Sequence, residues 1–281
     1  MQPLVLSFIQ AEDLLQAREM GRGVVRVSPD LGLTTSEVAL EPGGVLFTDG
    51  QRLRWKDVTG IVESPRGCFT IQENRPHKIQ IFSETTNCLY SLMPTAGAPT
   101  MLISGIPMHR FKGIDPHRDT LLKIEAIAPL KGCVLDTATG LGYTAIEAAK
   151  SAERVITIEL DPAALEVARL NPWSQALFDN PKIEQRIGDS FDEIYEFEDE
   201  SFTRIIHDPP TFSLAGDLYS GEFYRQLFRV LKRGGRLFHY IGDLKSKSGR
   251  SVARGAARRL QEAGFKRVLH RPQAFGLLAY R

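Results

Sequence analysis

Four acidic residues close four apolar runs in the second half of the chain, and each is followed by small or turn-forming residues. The run 134–136 ends in Asp136 and passes through Ala138, Gly140 and Gly142 into the helical stretch 144–150. Glycines at a strand-to-helix turn accept backbone angles that other residues avoid and let a ligand approach the main chain, while the helix entry adds unpaired N–H donors. The run 155–158 ends in Glu159 and Leu160, with Glu159 twenty-three positions after Asp136. In a parallel sheet the two carboxylates stand at the carboxyl ends of neighbouring strands, and Glu159 is placed to accept hydrogen bonds from two ribose hydroxyls. A third run, 183–187, ends in Gly188, Asp189 and Ser190, and a fourth, 202–206, in His207, Asp208, Pro209, Pro210 and Thr211.

The last of these ends carries its own chemistry. Two successive prolines fix two φ angles and remove two N–H groups, so the carbonyl before them is a rigid acceptor without local donors competing for it. Such an acceptor suits a planar amine. Phe212 is available for stacking on a base, and Ser213 completes the segment. His207 closes an apolar strand, a position where packing and a backbone hydrogen bond are expected ahead of proton transfer.

This succession, over about residues 121–281, resembles the class I S-adenosylmethionine-dependent methyltransferases. Within them it is similar to the Asp-Pro-Pro branch, RNA methyltransferases and predicted archaeal-type methyltransferases included. The resemblance implies S-adenosyl-L-methionine as cofactor. It implies that Asp136, Ala138, Gly140 and Gly142 frame the methionine part, Glu159 and Leu160 the ribose, and Asp189 and Ser190 the adenine. Asp208, Pro209 and Pro210 would be the catalytic loop, with Asp208 and the Pro209 carbonyl orienting the target nitrogen, and Thr211 and Phe212 would meet the substrate. Alignment is then most of the catalysis, because the sulfonium is already activated. Two positions depart from the family pattern: Ala138 stands where Gly is usual, and Thr211 where amino-methylating members usually carry an aromatic. An exocyclic amine, a ring nitrogen and a ring carbon all stay open as the methylated atom, with cytosine C5 disfavoured by the lack of a cysteine near this loop.

The elements that must position these residues follow from the pattern around them. Helical stretches at 144–150, 162–170, 221–232 and 251–263 alternate with strands, which predicts an α/β, Rossmann-like, seven-stranded, mostly parallel sheet with helices on both faces. The last two strands, 267–270 and 274–279, are joined by three residues, too few for a parallel crossover, so this pair is expected to be antiparallel. Before the sheet, a helix near 11–20 precedes short β-branched runs at 24–27, 44–47, 78–82 and 88–92, punctuated by turn signals and without helical periodicity. The division expected is 1–115, a small β-rich N-terminal domain, and 116–281, the Rossmann-like methyltransferase domain. The segment 101–110 reads equally as a flap over the site or as an interdomain strand.

Charge points to a partner. The formal net charge is +1, yet residues 231–281 hold thirteen Lys or Arg against Asp243 and Glu262, whereas 189–200 holds seven acids and no base. Lys245, Lys247, Arg250, Arg254, Arg258 and Arg259 follow the fifth strand on the edge that carries Asp208, where they could grip the phosphates of RNA. Cys68, Cys88 and Cys133 are widely spaced and odd in number, which fits reduced thiols and no metal site. No apolar run is long enough for a membrane span and no basic leader opens the chain, so the cytoplasm is the expected location. The function expected first is methylation of a base nitrogen in tRNA or rRNA. A same-fold transferase acting on a small amine, aminopropyltransferase-like enzymes included, ranks second, because those show a richer glycine loop and further acids after the fourth strand. An RNA-binding protein with a relict pocket ranks third.

Overall fold

A computed structural model describes residues 3–212 and 215–281. The chain separates into two compact units, Met1–His117 with Ala163–Gln175, and Arg118–Pro162 with Ala176–Arg281.

The first unit is built from short antiparallel strands. β1 (Val5–Ser7) leads through a Ser7 capping box, with Gln10 returning the bond, into α1 (Phe8–Glu19). A four-stranded sheet follows in sequential order, β2 (Val24–Val27), β3 (Ser36–Glu41), β4 (Gly44–Leu46) and β5 (Arg52–Arg54). After α2 (Trp55–Val62), β6 (Cys68–Gln72) pairs with β1 and with β7 (Arg75–Lys78), and a last sheet joins β8 (Gln80–Ser83), β9 (Cys88–Met93), β10 (Thr100–Ile103) and β11 (Ile106–Pro107).

Two expectations are corrected here. Residues 22–94 are not free of helix: Trp55, Val58 and Ile61 recur every third residue and are the buried face of α2. The run 78–82 is not one strand. Ile79, buried, sits between β7 and β8, donating to the Cys68 carbonyl and accepting from Leu92, so the chain changes sheets at that residue. The segment 101–110 holds most of the β10–β11 hairpin, turned at Ser104 and Gly105, both with positive φ.

The second unit carries the expected sheet. α3 (Pro116–Ile127) precedes β12 (Cys133–Asp136), α4 (Tyr143–Ala149) and β13 (Arg154–Glu159). The connection through α5 (Pro162–Leu170) and α6 (Gln175–Asp179) reaches β14 (Ile183–Ile187), and α7 (Ser190–Glu193) leads to β15 (Phe202–His207). α8 (Gly221–Val230), β16 (Leu231–Tyr240), α9 (Lys247–Glu262), β17 (Arg267–Arg271) and β18 (Gly276–Tyr280) complete the chain. The strand order is β14-β13-β12-β15-β16-β18-β17, parallel apart from β18, which runs antiparallel to both of its neighbours as the short final connection requires.

Strands buried on both faces explain the near-continuous apolar runs. Leu135, Ile156, Ile205, Leu237 and Leu277 pack in one cluster with Phe223 and Leu227 of α8 and Leu260 of α9. Their alternating neighbours Val134, Val155, Ile206, Phe238 and Leu278 are buried as well, and α4 packs beside β12, β13 and β14. α9 begins at Lys247, four residues before the expected start, because Ser246 caps it through the Gly249 N–H. Only glycine serves at 249, since a Cβ there would collide with the Asp243 carbonyl.

Candidate active site

The order of strands reverses at β12: β13 and β14 lie on one side, β15 and β16 on the other. Open α/β sheets bind ligands outside the carboxyl ends of the strands at such a switch point. Asp136 ends β12 and Asp208 directly follows β15, so the two acids flank this crevice.

The loop after β12 is stitched to both adjacent strands. Thr137 N donates to the Ile206 carbonyl of β15 (3.0 Å) and Thr139 N to the Ile158 carbonyl of β13 (2.9 Å). Gly140 and Gly142 take φ of 53° and 77°, left-handed angles that favour glycine, and a Cβ on Gly142 would also press into Leu177. Ala138 keeps a negative φ, so its methyl imposes no backbone strain. Asp136 is fully buried behind the loop, where its Oδ2 accepts from Thr144 Oγ1 (3.0 Å) and Thr157 Oγ1 (2.9 Å). Its Oδ1 is buried with no hydrogen-bond partner among the described residues. Burial raises the Asp136 carboxyl to about 7 despite the two hydroxyl donors.

At the end of β13, Glu159 accepts from Gly140 N at Oε2 (2.8 Å) and from Asp161 N at Oε1 (3.2 Å). Burial raises its carboxyl to about 6, against those backbone bonds. A carboxylate has about four lone-pair sites, so two main-chain donors leave capacity for a pair of ribose hydroxyls. Leu160 beside it is 51% exposed and Ile187, opposite Glu159 on β14, is 50% exposed, which gives aliphatic surface at the strand ends. Asp189 is exposed and caps α7 through Phe191 N (2.8 Å). Ser190 is buried and its hydroxyl donates to the Thr137 carbonyl (2.6 Å), so this side chain holds the glycine loop. These groups fit an adenosyl sulfonium cofactor: an orphaned buried acceptor at Asp136, a glycine turn, a carboxylate with spare acceptor capacity, and aliphatic flanks.

On the other side of the crevice, Asp208 Oδ2 accepts from Lys123 Nζ of α3 at 2.6 Å. Lys123 is 2% exposed; its ammonium lies 3.1 Å from Asp119 Oδ2 and 4.5 Å from the Tyr240 ring centroid. Burial works against the Lys123 charge, but Asp208 and Asp119 together hold its pKa above the ordinary lysine value. For Asp208, burial raises the carboxyl more than Lys123 lowers it. Pro209 is buried, Pro210 half-buried, and the Pro210 carbonyl accepts from the Tyr219 hydroxyl (3.0 Å). Phe212, half-exposed, meets Tyr219 edge-on at 5.4 Å, and Thr211 is exposed beside it; Ser213 lies outside the described residues.

His207 is satisfied on both nitrogens. Nδ1 faces Thr137 Oγ1 (2.7 Å), Nε2 faces the Leu218 carbonyl (2.9 Å), and burial lowers its pKa to about 3. It is neutral and structural, packed 4.3 Å from His239, whose Nε2 pairs with the Tyr224 hydroxyl (2.8 Å).

The basic residues lie on or just before α9. Lys245, Lys247, Arg250, Arg254 and Arg258 are exposed, with Arg258 near Glu262 (3.6 Å). Arg259 differs: its Nε donates to the Tyr219 carbonyl (2.9 Å), which pins α9 to the segment after the two prolines. Sequence reading did not single out Lys123, Asp119, Tyr219 or Tyr240. Asp119 and Lys123 four apart on a helix look like a surface pair, and the one available signal was that Leu122 and Ile124, neighbours of Lys123, belong to an apolar face.

A family model described as a methyltransferase domain matches residues 134–235. Uncharacterized protein MJ1233 of Methanocaldococcus jannaschii is 50% identical over 199 residues, 70% of this chain and 68% of that protein. A polyamine aminopropyltransferase of Aeropyrum pernix is 28% identical over 113 residues, 38% of this chain and 36% of its own length, so only about a third of that enzyme is matched. Among solved structures, a spermidine synthase in complex with the transition-state analogue AdoDATO superposes with a TM-score of 0.58 at 23% identity, over 75% of this chain and 74% of that one, a likeness of fold. With its switch-point acids and glycine turn, the chain belongs to the same family as the M. jannaschii protein, and over residues 134–235 it carries a methyltransferase domain, the domain of transferases with S-adenosylmethionine as cofactor.

Proposed function

We propose that the protein methylates a nitrogen of an RNA base, acting in the cytoplasm. The observation that carries this reading is the state of Asp208: Oδ2 is clamped by Lys123, while Oδ1 makes no hydrogen bond among the described residues. A carboxylate held this way accepts an N–H from a planar amine and turns the nitrogen lone pair toward the crevice. When bound, S-adenosylmethionine supplies a methyl group activated on a sulfonium, which leaves behind a neutral thioether. Asp208 has room to take the proton the nitrogen releases, and the prolines keep its loop from following the substrate.

Two features support RNA as the acceptor. Phe212 offers an exposed ring beside the Asp208 loop. Lys247 and Arg250 occupy the first turn of α9, where the helix dipole favours anions and cations are out of place unless phosphate is to be bound there. The test is mass spectrometry of nucleosides from RNA incubated with the protein and methyl-labelled cofactor. Label in a base nitrogen is the expected result, and label in no nucleoside from cognate total RNA would sink the reading.

A second reading, transfer to a small amine, is favoured by the likeness to spermidine synthase and polyamine aminopropyltransferases. Lys123 already neutralises one of the two carboxylates it touches, so little anionic charge is left to hold a polyammonium acceptor. Alkylated polyamine in the same assay would decide for this reading.

A further inference from the structure

Lys123 is a buried cation whose surroundings are specific. Its ammonium bridges Asp119 on its own helix (3.1 Å) and Asp208 beyond β15 (2.6 Å), under the ring of Tyr240 from β16. Burying a lysine forfeits its hydration unless good partners surround it, so such a site persists where the charge is used. A conserving arrangement for stability alone needs one acid, not two of which one stands at the crevice. We propose that Lys123 is the positioning residue of the active site, fixing the Asp208 carboxylate in its ionised form with Oδ1 turned to the acceptor amine, and that Asp119 holds Lys123 in place. The role rests on the nitrogen-alkylation reading above.

The charged and titratable groups facing Asp208 come from every element around it: Lys123 and Asp119 on α3, Asp136 at the end of β12, and Tyr219 after the proline turn. Lys123 is the one cation among them, so its removal leaves Asp208 buried among like or neutral groups. The Asp208 carboxyl, already raised by burial, then rises further.

The test is carboxyl-carbon NMR on protein labelled at aspartate, with the Asp208 signal assigned by its loss in Asp208→Asn. In Lys123→Met the Asp208 titration should move up by about one pH unit or more, while S-adenosylhomocysteine affinity stays within about twofold. Lys123→Arg should titrate near wild type. In the labelled-cofactor assay, kcat of Lys123→Met should fall about tenfold or more at neutral pH, its acid limb moving with the titration, with KM for the cofactor little changed. Should Lys123→Met fail to fold, Asp119→Asn serves, with a smaller shift in the same direction. An Asp208 titration unmoved in the folded variants overturns the proposal, as does a moved titration with a wild-type rate. A moved titration in a protein whose wild type alkylates no amine refutes the functional reading instead and leaves the charge coupling established.

Discussion

The hydroxyl of Ser190 donates to the main-chain carbonyl of Thr137 across 2.6 Å, tying the end of β14 to the glycine loop after β12. The loop is thereby held by Ile206 of β15, Ile158 of β13 and Ser190 of α7 before any ligand arrives. Removing a buried neutral hydrogen bond costs about 1 kcal/mol. Ser190→Ala should lower the melting temperature by a few degrees and weaken S-adenosylhomocysteine by about fivefold, read by calorimetric titration. An affinity equal to wild type would show that the loop does not need this tie.

Asp136 makes stability depend on pH. Its carboxyl titrates near 7 in the folded protein against about 4 in the unfolded chain, because burial penalises the charge. A raised folded value contributes stability that is complete below the unfolded pKa and is lost as pH rises through the folded one. Between about pH 4 and 7 the native state holds a proton the unfolded state has released. Asp136→Asn still accepts the Thr144 and Thr157 hydroxyls and removes this term. Chemical denaturation at pH 5 and pH 8 should show the stability of the variant falling less than that of wild type, by up to about 2.5 kcal/mol. Parallel slopes for the two proteins would mean that Asp136 does not titrate in this range.

Much of this site is legible in the sequence because its acids terminate buried runs. Asp136, Glu159, Asp189 and Asp208 each follow β-branched strand residues, and a parallel sheet places such ends on one rim whatever the connections do. The antiparallel final pair follows from the three residues 271–273 alone. Lys123 is illegible for the opposite reason: its partner Asp208 lies 85 positions away, and only the packing of α3 brings them together. Ser190 and Arg259 misread in a similar way. A serine after a strand and an arginine in a basic run look free to meet ligands, yet both are committed to carbonyls of their own chain. In the first unit, strands of two to six residues leave too short a window for period-two alternation to separate them from turns.

Reversing charge on the exposed row of α9 tests the acceptor class. Lys247→Glu, Arg250→Glu and Arg254→Glu leave Arg259 and its bond to Tyr219 untouched, so the proline segment keeps its anchor. If each cation meets one phosphate of a single strand, the triple variant loses a salt slope of roughly 2, at about 0.7 per contact. Filter binding to RNA across a salt series should show that flattening, with cofactor affinity unchanged. RNA affinity independent of salt in the wild type would exclude phosphate contacts as the source of binding.

Asp208 separates catalysis from binding. Asp136, Glu159 and the glycine loop lie across the switch point and keep their hydrogen bonds without the Asp208 side chain. Asp208→Ala is therefore expected to bind S-adenosylhomocysteine as wild type does, while transfer of labelled methyl falls by about a hundredfold or more, the range set by losing a positioned proton acceptor. The substitution also strands the Lys123 ammonium with Asp119 as its remaining carboxylate, so some loss of stability accompanies it. Asp208→Asn keeps the shape and an acceptor oxygen without the charge. Partial activity in Asn against none in Ala assigns Asp208 chiefly to orienting the nitrogen; equal loss in both assigns it to taking the proton. Full activity in either would remove Asp208 from the reaction.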